Sequence, residues 1–135
     1  MSRNILIPAA LDHEEVLPRK IELAKRLLED GGQITLLTVL ENVPGFVAEF
    51  VDMKPENHLM DHVRAQLDKS SGGADNIKSV VETGKAGVVV SRYAQQNDID
   101  LIIVGSHRPG LQDYFLGSTA ARIARRAPCS VYIMR

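Results

Sequence analysis

Cysteine is nearly absent from this sequence of 135 residues, because Cys129 is its single cysteine. One thiol excludes an internal disulfide and any metal site built from a cysteine cluster. This usage suits a reducing compartment, so we expect a cytoplasmic location. We expect Cys129 to be packed near the last strand and not to act as a nucleophile, since no histidine lies beside it in the sequence.

The sequence also lacks an excess of charge and a long hydrophobic run. It has 16 basic and 17 acidic residues, for a formal net charge of -1. Nucleic acids and anionic membrane surfaces attract strongly basic chains, so neither partner is expected. The first apolar run, residues 5–7, is far too short for a signal peptide or a membrane span.

What the sequence does contain is a regular series of short apolar runs. Hydrophobic residues make up 44% of the chain, enough to cover both faces of a small sheet in one domain over residues 1–135. The runs are mostly continuous and not alternating, which indicates strands buried on both faces. They predict five strands, at residues 5–7, 34–40, 77–81, 101–104 and 131–134.

Between the strands, apolar residues recur every three or four positions, as on the buried face of a helix. The four predicted helices carry the stripes Leu17, Ile21, Ala24 and Leu28; Leu59, Val63 and Leu67; Ala86, Val89 or Val90, and Tyr93; and Ala120, Ile123, Ala124 and Ala127. We expect Gly31 and Gly32 to stop the first helix. Alternating strands and helices predict a three-layer α/β fold with a doubly wound parallel sheet.

Residues 41–55 fit neither period and contain Pro44, Gly45 and Pro55. We expect an excursion between the second strand and the second helix that could act as a lid.

A doubly wound sheet binds ligands beyond the carboxyl ends of its strands, where the crossover direction reverses. The most informative of these segments is 105–119. Gly105 and Gly117 permit close backbone approach, Ser118 and Thr119 add hydroxyls, and the start of a helix favours an anion. The same residues are equally ordinary in turns and helix caps. No Walker-type lysine motif or Gly-x-Gly-x-x-Gly turn follows the first strand, which disfavours the two commonest phosphate loops.

Three other polar groups have both a functional and an ordinary interpretation. His58 and His62 have a metal-binding spacing with Asp61 between them, but a third ligand is missing and surface histidines are favoured. The acidic cluster at residues 12–15 could serve acid/base chemistry or bind magnesium, yet such residues also suit the first turn of a helix, with Asp12 as its N-cap. The arginines of the last helix, Arg122, Arg125 and Arg126, could guide an anion or form a solvated face.

Four stretches resemble the universal stress protein family. They are Asn-Ile-Leu-Ile-Pro at 4–8, Val-Gly-Ser-His-Arg-Pro at 104–109, Leu-Gly-Ser-Thr-Ala-Ala at 116–121 and Ala-Pro-Cys-Ser-Val at 127–131. The loop with Ser-His-Arg-Pro resembles one subgroup of short bacterial members. The resemblance implies an adenine-nucleotide alpha-hydrolase-like sheet of order 3-2-1-4-5, binding of ATP (with Mg²⁺ as an option) or AMP, a role in stress response, and a homodimer formed through residues 129–134.

The sequence departs from the pattern of ATP-binding members at two places. Those members carry Gly-x-x-Gly, nine residues, and then Gly-Ser or Gly-Thr, whereas here Arg108 replaces the second glycine and eight residues separate it from Gly117. They also carry an aspartate two residues beyond the first-strand proline, where this chain has Ala10, with Asp12 two positions later. An arginine is a good phosphate partner, so the loop change can retune binding without abolishing it.

By position, the resemblance implies a nucleotide site in two parts. The base pocket would be lined by Pro8, Ala9, Ala10 and Val39. The ribose and phosphate site would be formed by Gly105, His107, Arg108, Gly117, Ser118 and Thr119, with Asp12 in place of the missing aspartate.

We assign no catalytic residue. A nucleotide-responsive regulatory protein is the first hypothesis, and a nucleotide-independent dimeric interaction module is the alternative. Slow ATP hydrolysis ranks last, because only Asp12 and His107 are candidates for it.

Overall fold

The computed structural model describes residues 2–9, 16–40, 65, 69, 75–105 and 117–134. In chain order the described elements are β1 (Ser2–Pro8), α1 (Leu17–Leu27), β2 (Leu28–Leu40), β3 (Ile77–Thr83), α2 (Ala86–Gln96), β4 (Leu101–Gly105), α3 (Ser118–Arg126) and β5 (Ser130–Met134). The predicted lid at 41–55 lies outside the described residues. So does nearly all of the predicted helix around residues 59–67, where Ala65 and the nearby Lys69 are described and are helical.

The five strands form one parallel sheet in the order β3-β2-β1-β4-β5, which confirms the predicted fold class and strand order. The central strand, β1, pairs with β2 on one side and with β4 on the other. The chain therefore winds outward from β1 in both directions, and β3 and β5 form the two edges.

Helices cover both faces of the sheet. Successive side chains along a strand point to opposite faces, so each buried strand supplies apolar residues to both layers of helices. On one face α1 packs its Leu17, Ile21 and Ala24 onto a cluster that includes Ile5, Ile7, Ile34, Leu36, Leu101 and Ile103. On the other face α2 and α3 pack onto Leu6, Leu37, Ile102 and Val104. Burial on both faces explains why the strands read as continuous apolar runs.

The role predicted for Gly31 and Gly32 was wrong. α1 ends at Leu27, and Leu28 already has an extended backbone and begins β2. The entry to β2 is irregular: Ser2 pairs with Leu28, whereas Asn4 pairs with Gln33. Gly31 takes a φ of +80° in this irregular segment, and a Cβ at Gly32 would lie 2.6 Å from the backbone oxygen of Arg3. The glycine pair is therefore needed for this irregular entry to β2 beside β1, and not for a helix stop.

The first helix begins at Leu17, where its predicted apolar stripe also begins. α1 begins at Leu17 after Val16, with Pro18 in its first turn and no acidic residue there. Pro18 favours this start because its fixed φ suits a first turn and its missing N–H is not needed there. The N-cap of α1 is therefore Val16 and not the Asp12 of the ordinary interpretation, and the acidic cluster at residues 12–15 lies outside the described residues.

α2 and α3 largely follow the predicted stripes. α2 buries Gly87, Val89, Val90 and Ala94, and α3 buries Ala120 and Ile123, whereas Ala124 is exposed, contrary to the prediction. The two helices approach closely, since a Cβ on Gly87 would lie 2.9 Å from the Cβ of Arg122. The stem of Arg122 therefore packs on α2. No helix in the described part of the chain is both long enough and apolar enough to cross a membrane.

Candidate functional site

A crevice opens where the two central strands separate. β1 and β4 are paired at Ile5 with Leu101 and at Leu6 with Ile102. Further along, β1 stays with β2, as Pro8 pairs with Leu37, and β4 stays with β5, as Gly105 pairs with Met134. The sheet therefore parts between the carboxyl ends of β1 and β4. This is the point of reversal at which doubly wound sheets bind ligands.

Hydrogen bonds hold the chain after β1 against β2, on the side away from β4. The backbone N–H of Ala9 donates to the carbonyl oxygen of Leu37 at 2.8 Å. The hydroxyl of Thr38 then donates to the carbonyl oxygen of Ala9 at 2.8 Å, in a buried position. Thr38 was not among the predicted site residues. The available signal was a threonine within the predicted strand at residues 34–40, since a buried hydroxyl needs a partner.

At the opposite end of the same two strands, Asp100 holds them together. Its Oδ2 accepts the backbone N–H of Arg3 at 2.8 Å and that of Asn4 at 3.3 Å. The backbone N–H of Asp100 donates to the carbonyl oxygen of Asn4 at 3.0 Å. β1 and β4 are thus joined at their amino ends and free to separate at their carboxyl ends.

In the chain, α3 is the next described element after β4, one of the two strands beside the crevice. Gly117 is the N-cap, with φ of -59° and ψ of 152°, and its carbonyl oxygen accepts the N–H of Ala121 at 2.9 Å. Ser118 and Thr119 form the exposed first turn. Among the described residues no side chain caps these amides, and the first turn has no acidic residue. Free N–H groups and the positive end of the helix dipole make this start suitable for an anion.

Lys20 adds a buried positive group that the sequence prediction missed. It lies on α1 and is only 8% exposed. Its Nζ lies 3.5 Å from the position that a Cβ on Gly105 would occupy. Burial lowers the pKa of Lys20, because the ammonium loses water. The available signal was its spacing, three residues after Leu17 and four before Ala24, on the apolar stripe of the helix.

Comparison with known proteins agrees with this architecture. A family model described as the universal stress protein family matches residues 1–135. The chain belongs to the universal stress protein family. It is similar to the universal stress protein A homolog 2 of Coxiella burnetii, with 32% identity over 98% of this chain and 94% of that protein.

Solved universal stress proteins share its fold. The UspA protein of Lactobacillus plantarum is 24% identical, with a TM-score of 0.70 over 98% of this chain and 97% of that chain. A universal stress protein in complex with cAMP is 17% identical, with a TM-score of 0.70 over 99% and 97%. One from Archaeoglobus fulgidus in complex with dAMP is 16% identical, with a TM-score of 0.58 over 98% and 97%.

Part of the predicted site lies at the carboxyl edge of the sheet in this universal stress protein. Pro8 and Ala9 follow β1, Val39 lies near the end of β2, and Gly105 ends β4. Val39 is half-buried and packs toward the α2 and α3 face. Gly117, Ser118 and Thr119 begin α3. Four predicted residues, Ala10, Asp12, His107 and Arg108, lie outside the described residues.

The remaining candidates have simpler roles. Cys129 is half-buried and packs against the cluster under α2 and α3. Burial, and to a lesser extent the Asp100 carboxylate, raises the pKa of this thiol, which favours the unreactive protonated form, as expected. His58 and His62 lie outside the described residues. Within those residues no cluster of three or more histidine, cysteine or acidic groups could hold a metal ion.

Replacing Thr38 with valine tests whether its hydroxyl holds the chain at Ala9. Thr38→Val should leave the Ala9 carbonyl without its partner and lower the local opening free energy by about 1.4 kcal/mol, so that the Ala9 amide exchanges about tenfold faster. Thr38→Ser keeps the hydroxyl and is the matched control. Amide hydrogen exchange by NMR measures both, with the Leu36 amide as an internal reference. Equal Ala9 rates in the two variants would contradict this role.

Proposed function

We propose that this universal stress protein binds an adenine nucleotide, ATP or AMP, in the crevice between β1 and β4. In the cytoplasm it would act as a regulatory protein of the stress response, with nucleotide binding changing the surface it presents to partners. No catalytic residue is needed for this role.

The observation that carries this proposal is the start of α3. Its first amides have no capping side chain among the described residues, and its first turn has no acidic residue. A helix start of this kind attracts phosphate through its N–H groups and its dipole. Two solved proteins of the same fold, in complex with cAMP and dAMP, support an adenine nucleotide as the ligand.

Each end of the nucleotide has proposed contacts. Pro8, Ala9, Ala10 and Val39 would line the base, because they follow β1 or end β2 beside the crevice. Gly105, His107, Arg108, Gly117, Ser118 and Thr119 would hold the ribose and phosphates. Gly105 supports this role because it ends β4, where a bare backbone lets a ligand approach.

The affinity should be modest. Ala10 replaces the aspartate that ATP-binding members carry, and we propose that Asp12 takes over its hydrogen bond to the ribose. If Asp12 fails to do so, about 1 kcal/mol, or nearly tenfold in affinity, is lost. Mg²⁺ would enter with ATP, bound mainly through the phosphates.

A carboxylate introduced at the start of α3 should change nucleotide binding and protein stability in opposite directions. Thr119→Glu should stabilise α3 by about 0.3–1 kcal/mol, because a negative charge complements the dipole. The same charge should repel phosphate and weaken AMP and magnesium-ATP binding by at least about tenfold. Thr119→Gln is the neutral control of similar size to glutamate: it also lacks the threonine hydroxyl but adds no charge, so it should weaken binding much less than Thr119→Glu does. Calorimetric titration and urea unfolding measure the two effects.

The outcomes of these titrations are distinct. Micromolar binding that Thr119→Glu loses and Thr119→Gln keeps would support the proposed site. Equal binding by both variants would place the nucleotide elsewhere. If the wild type binds no nucleotide below about millimolar, where the binding free energy is only about -4 kcal/mol, the proposed function fails.

The exposed edge of β5 favours a second candidate function, a dimeric interaction module that does not need a nucleotide. β5 lies at one end of the sheet, so one side of its backbone has no strand partner among the described residues. Tyr132 on this strand is 44% exposed. Unpaired edges bind other strands, and aromatic residues are enriched at interfaces. We propose a homodimer through residues 129–134.

A charge on β5 tests this dimer. Tyr132→Lys should produce a monomer, because a lysine on an edge strand opposes edge-to-edge pairing. Thr83→Lys places the same charge at an exposed position of the other edge strand and should leave the dimer intact. Sedimentation velocity measures the oligomeric state. A dimer that survives Tyr132→Lys, or a monomeric wild type, would refute the interface; a dimer that binds no nucleotide would favour the interaction module.

A further inference from the structure

Lys20 lies in an unusual place for a lysine. It is 8% exposed and shares the buried face of α1 with Leu17, Ile21 and Ala24. Lysine is almost never this buried unless a negative group accompanies it. Its burial therefore calls for a specific explanation.

No such negative group is found among the described residues. The ion pair seen on α1 joins Arg26 to Glu22 at 3.0 Å, and both of these side chains are largely exposed. The side chain of Lys20 makes no ion pair or hydrogen bond within the described part of the chain, whereas its backbone N–H donates to the carbonyl oxygen of Val16 at 3.2 Å. Burial without a partner also lowers its pKa, which is the expected response of an ammonium that has lost water. A bound anion would provide the missing charge.

The ammonium lies beside the crevice. The Nζ and Cε of Lys20 are 3.5 and 3.6 Å from the position of a Cβ on Gly105, the last residue of β4. Gly105 follows Leu101 and Ile103 in the alternation of β4, and those two residues belong to the cluster under α1. Lys20 thus reaches the carboxyl end of β4 from the face that α1 covers, whereas α3 packs on the opposite face.

We infer that Lys20 is a phosphate-binding residue, whose ammonium receives a phosphate group that approaches over Gly105. The phosphate can belong to the adenine nucleotide or be free in solution, and the nucleotide case rests on the proposed function. A glycine at position 105 places no side chain against the ammonium. An alanine there would fit, since 3.5 Å is an ordinary contact, but its methyl group would cover the ammonium. The site would therefore select phosphorylated ligands over nucleosides.

Lys20→Met tests the inference, because methionine keeps the length and apolar stem of lysine and removes the charge. Lys25→Met makes the same change at an exposed position of the same helix and is the matched control. The probes are AMP, adenosine and inorganic pyrophosphate at constant ionic strength, titrated calorimetrically. Lys20→Met should weaken AMP and pyrophosphate binding by at least about tenfold and change adenosine binding by less than about twofold. Lys25→Met should change neither.

Unfolding in urea without ligand provides a second readout. Lys20→Met should be at least as stable as the wild type, because it removes a buried charge that has no partner in the described structure. Gly105→Ala is the second variant: it retains Lys20 and should also weaken pyrophosphate binding, and it serves if Lys20→Met does not fold.

The outcomes separate this inference from the proposed function. If the variants bind AMP and pyrophosphate as the wild type does, Lys20 is not a phosphate ligand, although nucleotide binding stands. If the wild type binds pyrophosphate through Lys20 but neither AMP nor adenosine, the inference stands and the adenine nucleotide is wrong. A wild type that binds none of the three probes overturns the inference.

Discussion

The separation of β1 from β4 is the constraint on which the candidate site depends. The two strands pair over two residues each, at Ile5 and Leu6 with Leu101 and Ile102. Asp100 fastens their amino ends, and the Thr38 hydroxyl holds the chain after β1 toward β2. Because a parallel sheet points all its carboxyl ends to one edge, this local separation becomes a crevice with backbone on both sides.

Electrostatics then determines what the crevice can hold. The start of α3 offers amides that no described side chain caps, and Lys20 brings a buried ammonium to the end of β4 from the opposite face of the sheet. Both features are positive, and neither is neutralised by a described carboxylate. A phosphate satisfies both kinds of donor, and we therefore propose a nucleotide and not an uncharged ligand.

The sheet could be predicted because its signals are summed over many residues. Continuous apolar runs and helical stripes each repeat four or more times, so an error at one position does not change the fold class. Single residues were less informative. A Gly-Gly pair is compatible with a helix end and with an irregular strand entry, and only the neighbouring backbone of Arg3 decides between them. The burial of Lys20 likewise depends on how α1 lies against β4, which no local pattern specifies. Thr38 is a further case, since its partner Ala9 is 29 residues away.

The proposed adenine nucleotide would bind at the carboxyl edge of the sheet, between β1 and β4. Titration of isotope-labelled protein with AMP, followed by amide shifts in NMR spectra, tests this most directly. The largest shifts should occur at Ala9, Val39, Gly105 and the first turn of α3. Shifts centred on the amino end of the sheet, around the cavity lined by Gln33 and Asn76, would contradict it.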